Sequence, residues 1–595
     1  DEFRIRKGAV WTASFTPSTS AYDSAGKGND WVSSGLAAND KVLDSPTDDS
    51  TNDIGNYATW NPLAIREAIT FSEGNTVVVT TSGGLSYVSS TIGMPGSGQW
   101  YAEFTLTAMA SAETGIVGVT REPWASSTSD WISHTGGQAY NAGGQLREDA
   151  ATVTTLATFG QGAVIGIYVD LDDGTPHIEY FEDGTSNGVR NLPASMLNRT
   201  LFFAAGDSDG SAAVTWTANF GQKAFVHSVP TGAKRLCTAN LPAPAILDPS
   251  AHFAAVLYTG SGSARDITWG GTSALTADYI VIKNRDQTDE WKNLSRGRGA
   301  TKELNWDSNN LESTDTDGLD DFSVTDGFGL GSGAGGYNDS TEKFVAFGWA
   351  GDGTTGSSNT DGTITATLSA NDTAGFSIGR HTGTGSAGTL GHGLSAAPDM
   401  IIIKCYQTQA GQSHIMYHSS NTAAPETDYL RLVDTAATAD YDGYWNDTAP
   451  TASVFSVGTD NGVNNTDLPY EWVCFRSIPG YSSFGSYVGN GNADGPFINL
   501  GFAPKLVFVK CTTETFSWTL WTNVQDPLNP VGIYNNMNIA AAENTSVSAM
   551  VDNLAGGFKL RSADGGSNDT GDTYVYAAWA EFPFAGSGSS QARAR

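Results

Sequence analysis

Residues 164–174, Val-Ile-Gly-Ile-Tyr-Val-Asp-Leu-Asp-Asp-Gly, decide the fold class of this chain. An apolar run ends there in an Asp-Gly turn, and a second run at 178–181 ends in another such turn at 182–184. Runs of this kind joined by Asp-Gly predict a β-hairpin. Short β-branched or aromatic runs separated by Gly, Asn, Asp and Ser recur along the chain, with almost no helical periodicity. The chain is therefore predicted to be all-β and built from packed antiparallel sheets.

Length, charge and composition exclude several classes of protein. The 595 residues predict about four domains at roughly 150 residues each. Asp and Glu number 63 against 31 Lys and Arg, a net charge of −32, which argues against nucleic acid as a partner because phosphate contacts need a basic surface. No apolar run approaches the ~20 residues that span a bilayer, so no membrane insertion is expected. The four scattered cysteines and the lack of a visible secretory signal fit synthesis in a reducing cytoplasm.

The first module resembles a SPRY domain. The resemblance rests on the strand at 98–103 (Gly-Gln-Trp-Tyr-Ala-Glu), the hairpin at 164–174 and the closing segment at 216–222 (Trp-Thr-Ala-Asn-Phe-Gly-Gln), which occur in the family's order. It implies a concanavalin-like pair of packed antiparallel sheets that serves binding and not catalysis.

The remaining chain contains an internal repeat. Three segments open alike, with a ring residue followed by x-Gly-x-Gly, at 258–262, 381–385 and 487–491. Each opening is followed by a strand that ends in lysine, and each unit closes on an aromatic strand; the lysines are Lys283, Lys404 and Lys510. The openings lie a domain length apart, beyond the about 20–50 residues of solenoid repeats. Three related antiparallel β domains, called modules 1, 2 and 3, are therefore predicted.

These features give the predicted domain boundaries. A Gly-, Ser- and Thr-rich stretch between modules 1 and 2 is expected to be a flexible linker and the first site of limited proteolysis. The division is an N-terminal arm at 1–49, the SPRY-like module at 50–226, module 1 at 251–350, the linker at 351–375, module 2 at 376–477, module 3 at 481–584 and a C-terminal tail at 585–595.

The combination of modules is similar to large virion proteins of tailed bacteriophages. The resemblance rests on the SPRY-like module, the x-Gly-x-Gly openings and Gly501-Phe502-Ala503-Pro504 before an apolar strand ending in lysine, and it covers nearly all of 50–584. It implies a virion tail fibre or surface appendage whose partners are other virion proteins and a host-surface glycan or envelope component. By analogy with tail fibres, a homo-oligomer is expected, with a trimer favoured. The alternatives are a capsid-decoration protein (a head fibre or cement) and, less favoured, a polysaccharide depolymerase.

Two glycine motifs resemble nucleotide-binding or catalytic signatures. The segment 383–388 matches G-x-G-x-x-G, but a strand and not a helix is predicted after it, and the same Gly-x-Gly occurs in all three repeats. The segment 206–210 matches the G-x-S-x-G nucleophile elbow, but it lies between two predicted strands. Both are interpreted as turns, and the protein is predicted not to be an enzyme.

Two groups of metal-ligand types are also present. His414 and His418 are four residues apart, but they fall in a strand of the repeat, where His414 is opposite Trp518. Asp170, Asp172 and Asp173 belong to the Asp-Gly turn and lack the spacing of a calcium loop. Neither group is taken as a metal site, and no cofactor is predicted.

Two loops combine aromatic rings with polar side chains. The first, at 122–134, carries Trp124, Trp131 and His134; the second, at 441–447, carries Tyr441, Tyr444 and Trp445. Sugar faces stack on aromatic rings while neighbouring polar groups exchange hydrogen bonds. These six residues are the predicted ligand contacts. The alternative is that the rings pack beneath their own loops.

Overall fold

The computed structural model describes residues 51–584, except 82–83, 110–113, 122–135, 198, 209, 211, 334 and 408–412. Almost all regular structure in this part of the chain is antiparallel strand, which confirms the all-β, multi-domain fold class. None of its helices is long and apolar enough to cross a membrane. They are the one-turn helices α1 (Asp442–Trp445) and α2 (Gly565–Asn568) and the 3-10 turns Ala194–Met196, Thr238–Asn240, Pro249–Ala251, Asp372–Ala374 and Pro425–Thr427.

The N-terminal module consists of two seven-stranded antiparallel sheets. Its strands are β1 (Trp60–Arg66), β2 (Ile69–Ser72), β3 (Val77–Thr80), β4 (Tyr87–Ser90), β5 (Gln99–Met109), β6 (Gly115–Thr120), β7 (Gly137–Asn141), β8 (Gln145–Glu148), β9 (Ala151–Thr155), β10 (Val164–Asp170), β11 (His177–Glu182), β12 (Thr185–Asn191), β13 (Phe202–Asp207) and β14 (Val214–Asn219). One sheet has the order β1-β4-β13-β6-β7-β8-β9, and the other has the order β12-β11-β10-β5-β14-β3-β2.

The predicted hairpin forms in the second sheet, between the edge strand β12 and the central strand β5. β10 pairs with β11 so that Ile167 lies opposite Tyr180. Side chains on the inner faces of the two sheets form one core, in which Trp60 contacts Phe104 and Phe220 at ring-centroid distances of 5.5 and 5.3 Å. The module extends past the predicted end at residue 226, because the segment up to 241 packs on this core and places Leu236 fully inside it.

The rest of the described chain forms three two-sheet modules. Module 1 contains β15 (Phe253–Thr259), β16 (Arg265–Thr268), β17 (Tyr279–Asn284), β18 (Lys292–Ser295), β19 (Lys302–Asn305), β20 (Ser313–Thr314), β21 (Leu319–Asp321), β22 (Gly327–Leu330) and β23 (Lys343–Trp349). Module 2, with two strands that precede it, contains β24 (Ser357–Asn359), β25 (Ala366–Asn371), β26 (Phe376–Thr382), β27 (Gly388–Gly391), β28 (Met400–Cys405), β29 (Ile415–His418), β30 (Asp428–Arg431), β31 (Ala439–Asp440), β32 (Val454–Val457) and β33 (Pro469–Phe475). Module 3 contains β34 (Ser482–Val488), β35 (Phe497–Asn499), β36 (Phe502–Cys511), β37 (Thr519–Thr522), β38 (Asn535–Asn536), β39 (Val551–Leu554), β40 (Gly557–Leu560) and β41 (Thr573–Pro583).

The large sheets of the three modules share one strand order. It is β15-β23-β17-β18-β19 in module 1, β26-β33-β28-β29-β30 in module 2 and β34-β41-β36-β37-β38 in module 3. A smaller sheet built on β16-β22, β27-β32 or β35-β40 covers one face of each large sheet. The sequence repeat therefore corresponds to three modules with the same strand order.

The other face of each large sheet packs into a core that all three modules share. At its centre lie Trp349, Phe475 and Trp579, the corresponding residues of β23, β33 and β41, with ring centroids 5.2 to 5.8 Å apart. Strands buried on both faces need continuous apolar runs, and β17 and β28 have them in Ile280-Val281-Ile282 and Ile401-Ile402-Ile403.

The modules form a closed ring with head-to-tail contacts. Three corresponding backbone N–H groups each donate to a carbonyl oxygen of the next module: Glu312 to Tyr406 (2.8 Å), Thr438 to Thr512 (3.0 Å) and Glu543 to Arg285 (3.0 Å). The contacts therefore run from module 1 to 2, from 2 to 3 and from 3 back to 1. A head-to-tail contact that closes after three steps gives pseudo-threefold symmetry within one chain.

The prediction of a flexible linker at 351–375 is wrong. β25 pairs with β26, and β24 pairs with β25, so the segment extends the large sheet of module 2. It is also tied to module 1, because the buried Ser369 hydroxyl donates to Asp278 Oδ2 at 2.6 Å and Gly353 N donates to the same oxygen at 2.9 Å. Backbone pairing orders this stretch despite its polar composition, so it is not expected to be the first site of proteolysis.

Candidate functional site

The structure describes three of the six residues that the sequence predicts as ligand contacts. Trp124, Trp131 and His134 lie outside the described residues. Tyr441, Tyr444 and Trp445 follow β31, where the chain turns into the single turn of α1. The Tyr441 side chain is exposed, whereas Tyr444 and Trp445 are buried.

A group of three tyrosines lies on the surface of module 2. Tyr429 on β30 contacts Tyr444 edge to face at 4.8 Å, and Tyr441 contacts the same ring at 4.8 Å. Arg431, two residues along β30, places its guanidinium carbon 5.2 Å from the centre of the Tyr429 ring. We call Tyr429, Arg431, Tyr441, Tyr444 and Asp460 the tyrosine patch. Edge-to-face packing is a favoured ring geometry, so the patch has a defined shape.

Hydrogen bonds and backbone contact fix the orientation of Tyr441. Its hydroxyl donates to Asp460 Oδ2 at 3.0 Å, and this bond raises the pKa of the Tyr441 hydroxyl above its usual value. Its ring lies against the backbone of Gly443, where an added Cβ would stand 2.4 Å from the ring. With 40% of its surface exposed, Tyr441 offers a ring beside a carboxylate acceptor, and the Arg431 guanidinium lies over the neighbouring Tyr429 ring. That arrangement can stack on a sugar and hydrogen-bond its hydroxyl groups.

Trp445 does not belong to the exposed part of this site. Its side chain is 2% exposed in the core of module 2, where it contacts Tyr417 edge to face at 5.9 Å. The one-turn helix directs Trp445 inward, so its predicted role as a stacking surface is corrected to a role in packing. Sequence reasoning missed Tyr429, Arg431 and Asp460 because they come from other segments. The sequence indicated locally only that Tyr429 and Arg431, which are two residues apart on one strand, lie on the same face.

The Gly-x-Gly openings are structural turns. In module 2 the amide of Asn464, which is fully buried, accepts from Thr384 N at 2.8 Å and donates to Ser386 O at 2.7 Å. A Cβ on Gly383 would stand 2.1 Å from Asn465 O, and Gly385 has a φ of 70°. The other openings have the same buried asparagine, at Asn338 and Asn568. The G-x-G-x-x-G match leads into β27, not into a helix whose N-terminus could bind a pyrophosphate.

The other candidate motifs are also accounted for by local structure. Gly206 and Asp207 end β13, and the buried Asp207 carboxylate accepts from Ser86 N at 2.9 Å and Gly210 N at 2.7 Å. The segment connects β13 to β14 and so lacks the strand-to-helix turn of a nucleophile elbow. Asp170 accepts from Asp172 N and Asp173 N at 3.0 and 3.1 Å, which closes its turn.

His418 is the last residue of β29 and His414 immediately precedes the strand, in the predicted repeat register. The strand register places His414 opposite Lys404, just as it places Trp518 opposite Lys510 in module 3. His418 Nε2 lies 3.1 Å from Tyr576 O, and burial lowers the pKa of His418 to about 4. Among the described residues, no group of three or more His, Cys, Asp or Glu side chains could hold a metal ion.

Comparison with known proteins gives one family match and several similar structures. The family model described as Domain of unknown function (DUF7483) matches residues 248–583, which span the three modules. The chain is similar to the SPRY domain of human HERC1 (20% identity, 27% of this chain and 96% of that chain, TM-score 0.23). It is also similar to a human SPRY domain (18%, 27% and 99%, TM-score 0.22) and to the TRIM65 PSpry domain (13%, 28% and 92%, TM-score 0.22). No curated protein matches the chain.

Proposed function

The chain belongs to the DUF7483 family, and we propose that it is a non-enzymatic surface protein of a tailed-bacteriophage virion that binds host-surface glycans through the tyrosine patch. The observation that carries the proposal is the patch: an exposed Tyr441 ring is held edge to face against Tyr444 and bonded to Asp460, and the neighbouring Tyr429 ring carries the Arg431 guanidinium. The virion setting rests on the sequence resemblance described above. A tail fibre or receptor-binding appendage is the preferred location, with capsid decoration as the alternative.

One tyrosine patch is suited to weak sugar binding, which many copies of the protein on one particle would strengthen. A ring that stacks on a ligand contributes about 0.5–1.5 kcal/mol beyond the area it buries. One site of this kind binds a sugar weakly, but many copies on one particle raise the effective concentration of the second contact. The patch lies on module 2, whose large sheet is fixed in the shared core of the ring, so little ordering is needed on binding.

The patch is particular to module 2. At the position of Tyr429, module 1 has Glu303, whose carboxylate accepts from the Tyr337 hydroxyl. Module 3 has Tyr534 there, but this ring is buried and its hydroxyl bonds with Ser548. The proposal therefore assigns one glycan site to the ring and leaves modules 1 and 3 with structural roles.

A binding measurement tests the proposal. Host envelope polysaccharide is titrated into purified protein in a calorimeter. The wild type is compared with Tyr441→Ala, and Leu528→Ala is the control. Leu528 is 75% exposed in module 3, far along the chain from the patch. We expect Tyr441→Ala to weaken binding about two- to tenfold, as loss of one stacked ring implies, and Leu528→Ala to leave it unchanged. Equal binding by all three proteins contradicts the proposed site. Shortening of the polysaccharide supports the depolymerase alternative instead.

A further inference from the structure

The three junctions of the ring are equivalent in backbone but not in side chains. Trp291 of module 1, His414 of module 2 and Trp518 of module 3 occupy the same position, opposite the repeat lysine. The two indole N–H groups each donate to a carbonyl oxygen of the preceding module in the ring, Trp291 to Asn536 at 3.0 Å and Trp518 to Arg431 at 2.9 Å. At the third junction, between modules 2 and 1, an imidazole replaces the larger indole.

The side chains around His414 are polar and buried. Glu471 of module 2 occupies the position of Val345 and Val575 in the other modules. Its carboxylate accepts from Arg298 Nε of module 1 at 3.0 Å and from the Ser295 hydroxyl. Arg298 is 1% exposed and Glu471 is 5% exposed, so this ion pair lies inside the junction. A buried carboxylate has more acceptor positions than these two donors use.

A small cavity lies at the same junction. It has a volume of about 10 Å³, and its lining includes Tyr279 and Asn293 of module 1 together with Lys404, His414 and Glu471 of module 2. His414 is 1% exposed, and both of its ring nitrogens are buried without a hydrogen-bond partner among the described residues. Burying a polar group without a hydrogen-bond partner costs free energy, so such atoms in a native protein are expected to bind an ordered water molecule or an ion.

We propose that this cavity is a binding site for one water molecule, which joins His414 to Glu471 and takes the place of the indole N–H found at the other two junctions. A volume of this size admits about one water molecule, and a buried water needs two to four polar partners. The imidazole and the carboxylate supply two of them. Burial, with Lys404 and Arg298 nearby, holds the pKa of His414 well below its usual value, so a neutral ring can accept one hydrogen bond and donate another.

The first test is direct observation. An experimentally determined high-resolution structure of the full chain is expected to show one density peak within hydrogen-bonding distance of both His414 and Glu471. An empty cavity, or a His414 ring bonded directly to protein, overturns the proposal. A peak too large for water overturns the assignment of the ligand.

The second test uses leucine, which is close to histidine in size but has no polar atoms. His414→Leu in the full chain removes one partner of the water and is expected to lower the Tm by about 2–4 °C, equivalent to one lost buried hydrogen bond. If the cavity is dry, the same variant removes two unpaired polar atoms and the Tm rises, which overturns the proposal. His418→Leu is the matched control, because the His418 ring nitrogens already bond to protein and its loss lowers the Tm under either outcome.

Discussion

The N-terminal module and the three-module ring bury their aromatic residues in different ways. The N-terminal module places Trp60, Trp100 and Trp216 between its own two sheets, in a core formed by its own residues except for Phe584 of module 3, which packs against it. Each ring module has a core of its own, but it also presents a second apolar face, whose largest residues contact those of the other two modules. The difference indicates that the first region can fold alone, whereas the modules of the ring depend on one another.

The comparison also changes how the chain's symmetry is understood. Trimeric association was expected from analogy with fibres, because unprotected strand edges need a partner. Here one chain supplies three equivalent copies, and their contacts close within it. Homo-oligomerisation remains a prediction, but the ring does not need it to cover its apolar faces.

The largest expected effect comes from separating the modules. A fragment of residues 51–241 is expected to give a dispersed NMR spectrum, because it contains every fully buried residue of its core and lacks only the peripheral Phe584. Module 3 alone, residues 481–584, is expected to aggregate or to lack fixed packing, since it exposes Phe508, Trp518 and Trp579. A well-folded, monomeric module 3 would contradict the inference that the ring modules depend on one another.

Removing one aromatic residue from each region is expected to act locally in one case and globally in the other. Trp579→Ala removes ring contacts to Trp349, Phe475 and Phe508, and should cost about 3–5 kcal/mol across the whole ring. Trp216→Ala is the matched control, with a similar cost confined to the N-terminal module. Calorimetry of both variants separates the effects; a Trp579→Ala protein in which modules 1 and 2 keep their melting temperature would show that the shared core is not cooperative.

Acid should weaken the ring through its buried histidines. Burial lowers the pKa of His381 and His418 to about 4, whereas the same side chains in the unfolded chain titrate near 6.5. The folded state therefore binds fewer protons than the unfolded state between about pH 6.5 and 4, and stability falls as the pH falls through that range. Thermal melts from pH 7 to pH 4 should show the decline, and His418→Leu should reduce its slope. A slope that the variant leaves unchanged contradicts this assignment.

The sequence predicted strands, turns and repeats well because these depend on local chemistry. The Asp-Gly hairpin at 164–184 and the three Gly-x-Gly openings form as expected. The linker prediction was wrong for a nonlocal reason: β25 pairs with β26, β24 pairs with β25, and the segment bonds to Asp278, none of which composition records. The continuous apolar runs Ile280-Val281-Ile282 and Ile401-Ile402-Ile403 were the signal that the large sheets are buried on both faces.

The candidate site could be predicted only in part. Tyr441 and Tyr444 were found because they are close in sequence, but the same loop led to Trp445, whose direction depends on one turn of helix. Arg431 and Asp460 come from β30 and from the loop after β32, and only the fold brings them together. His414 holds the repeat position that the sequence predicted, immediately before β29, but its polar environment depends on Arg298 of another module.

The number of cooperative units in the chain tests the central claim most directly. Native-state hydrogen exchange, measured by mass spectrometry as denaturant is raised, reports the opening free energy of each strand. If the modules form one closed ring, β17, β28 and β36 should open together with a single free energy, and β5 and β10 of the N-terminal module should open with a different one. Three separate opening free energies for β17, β28 and β36 would contradict the account.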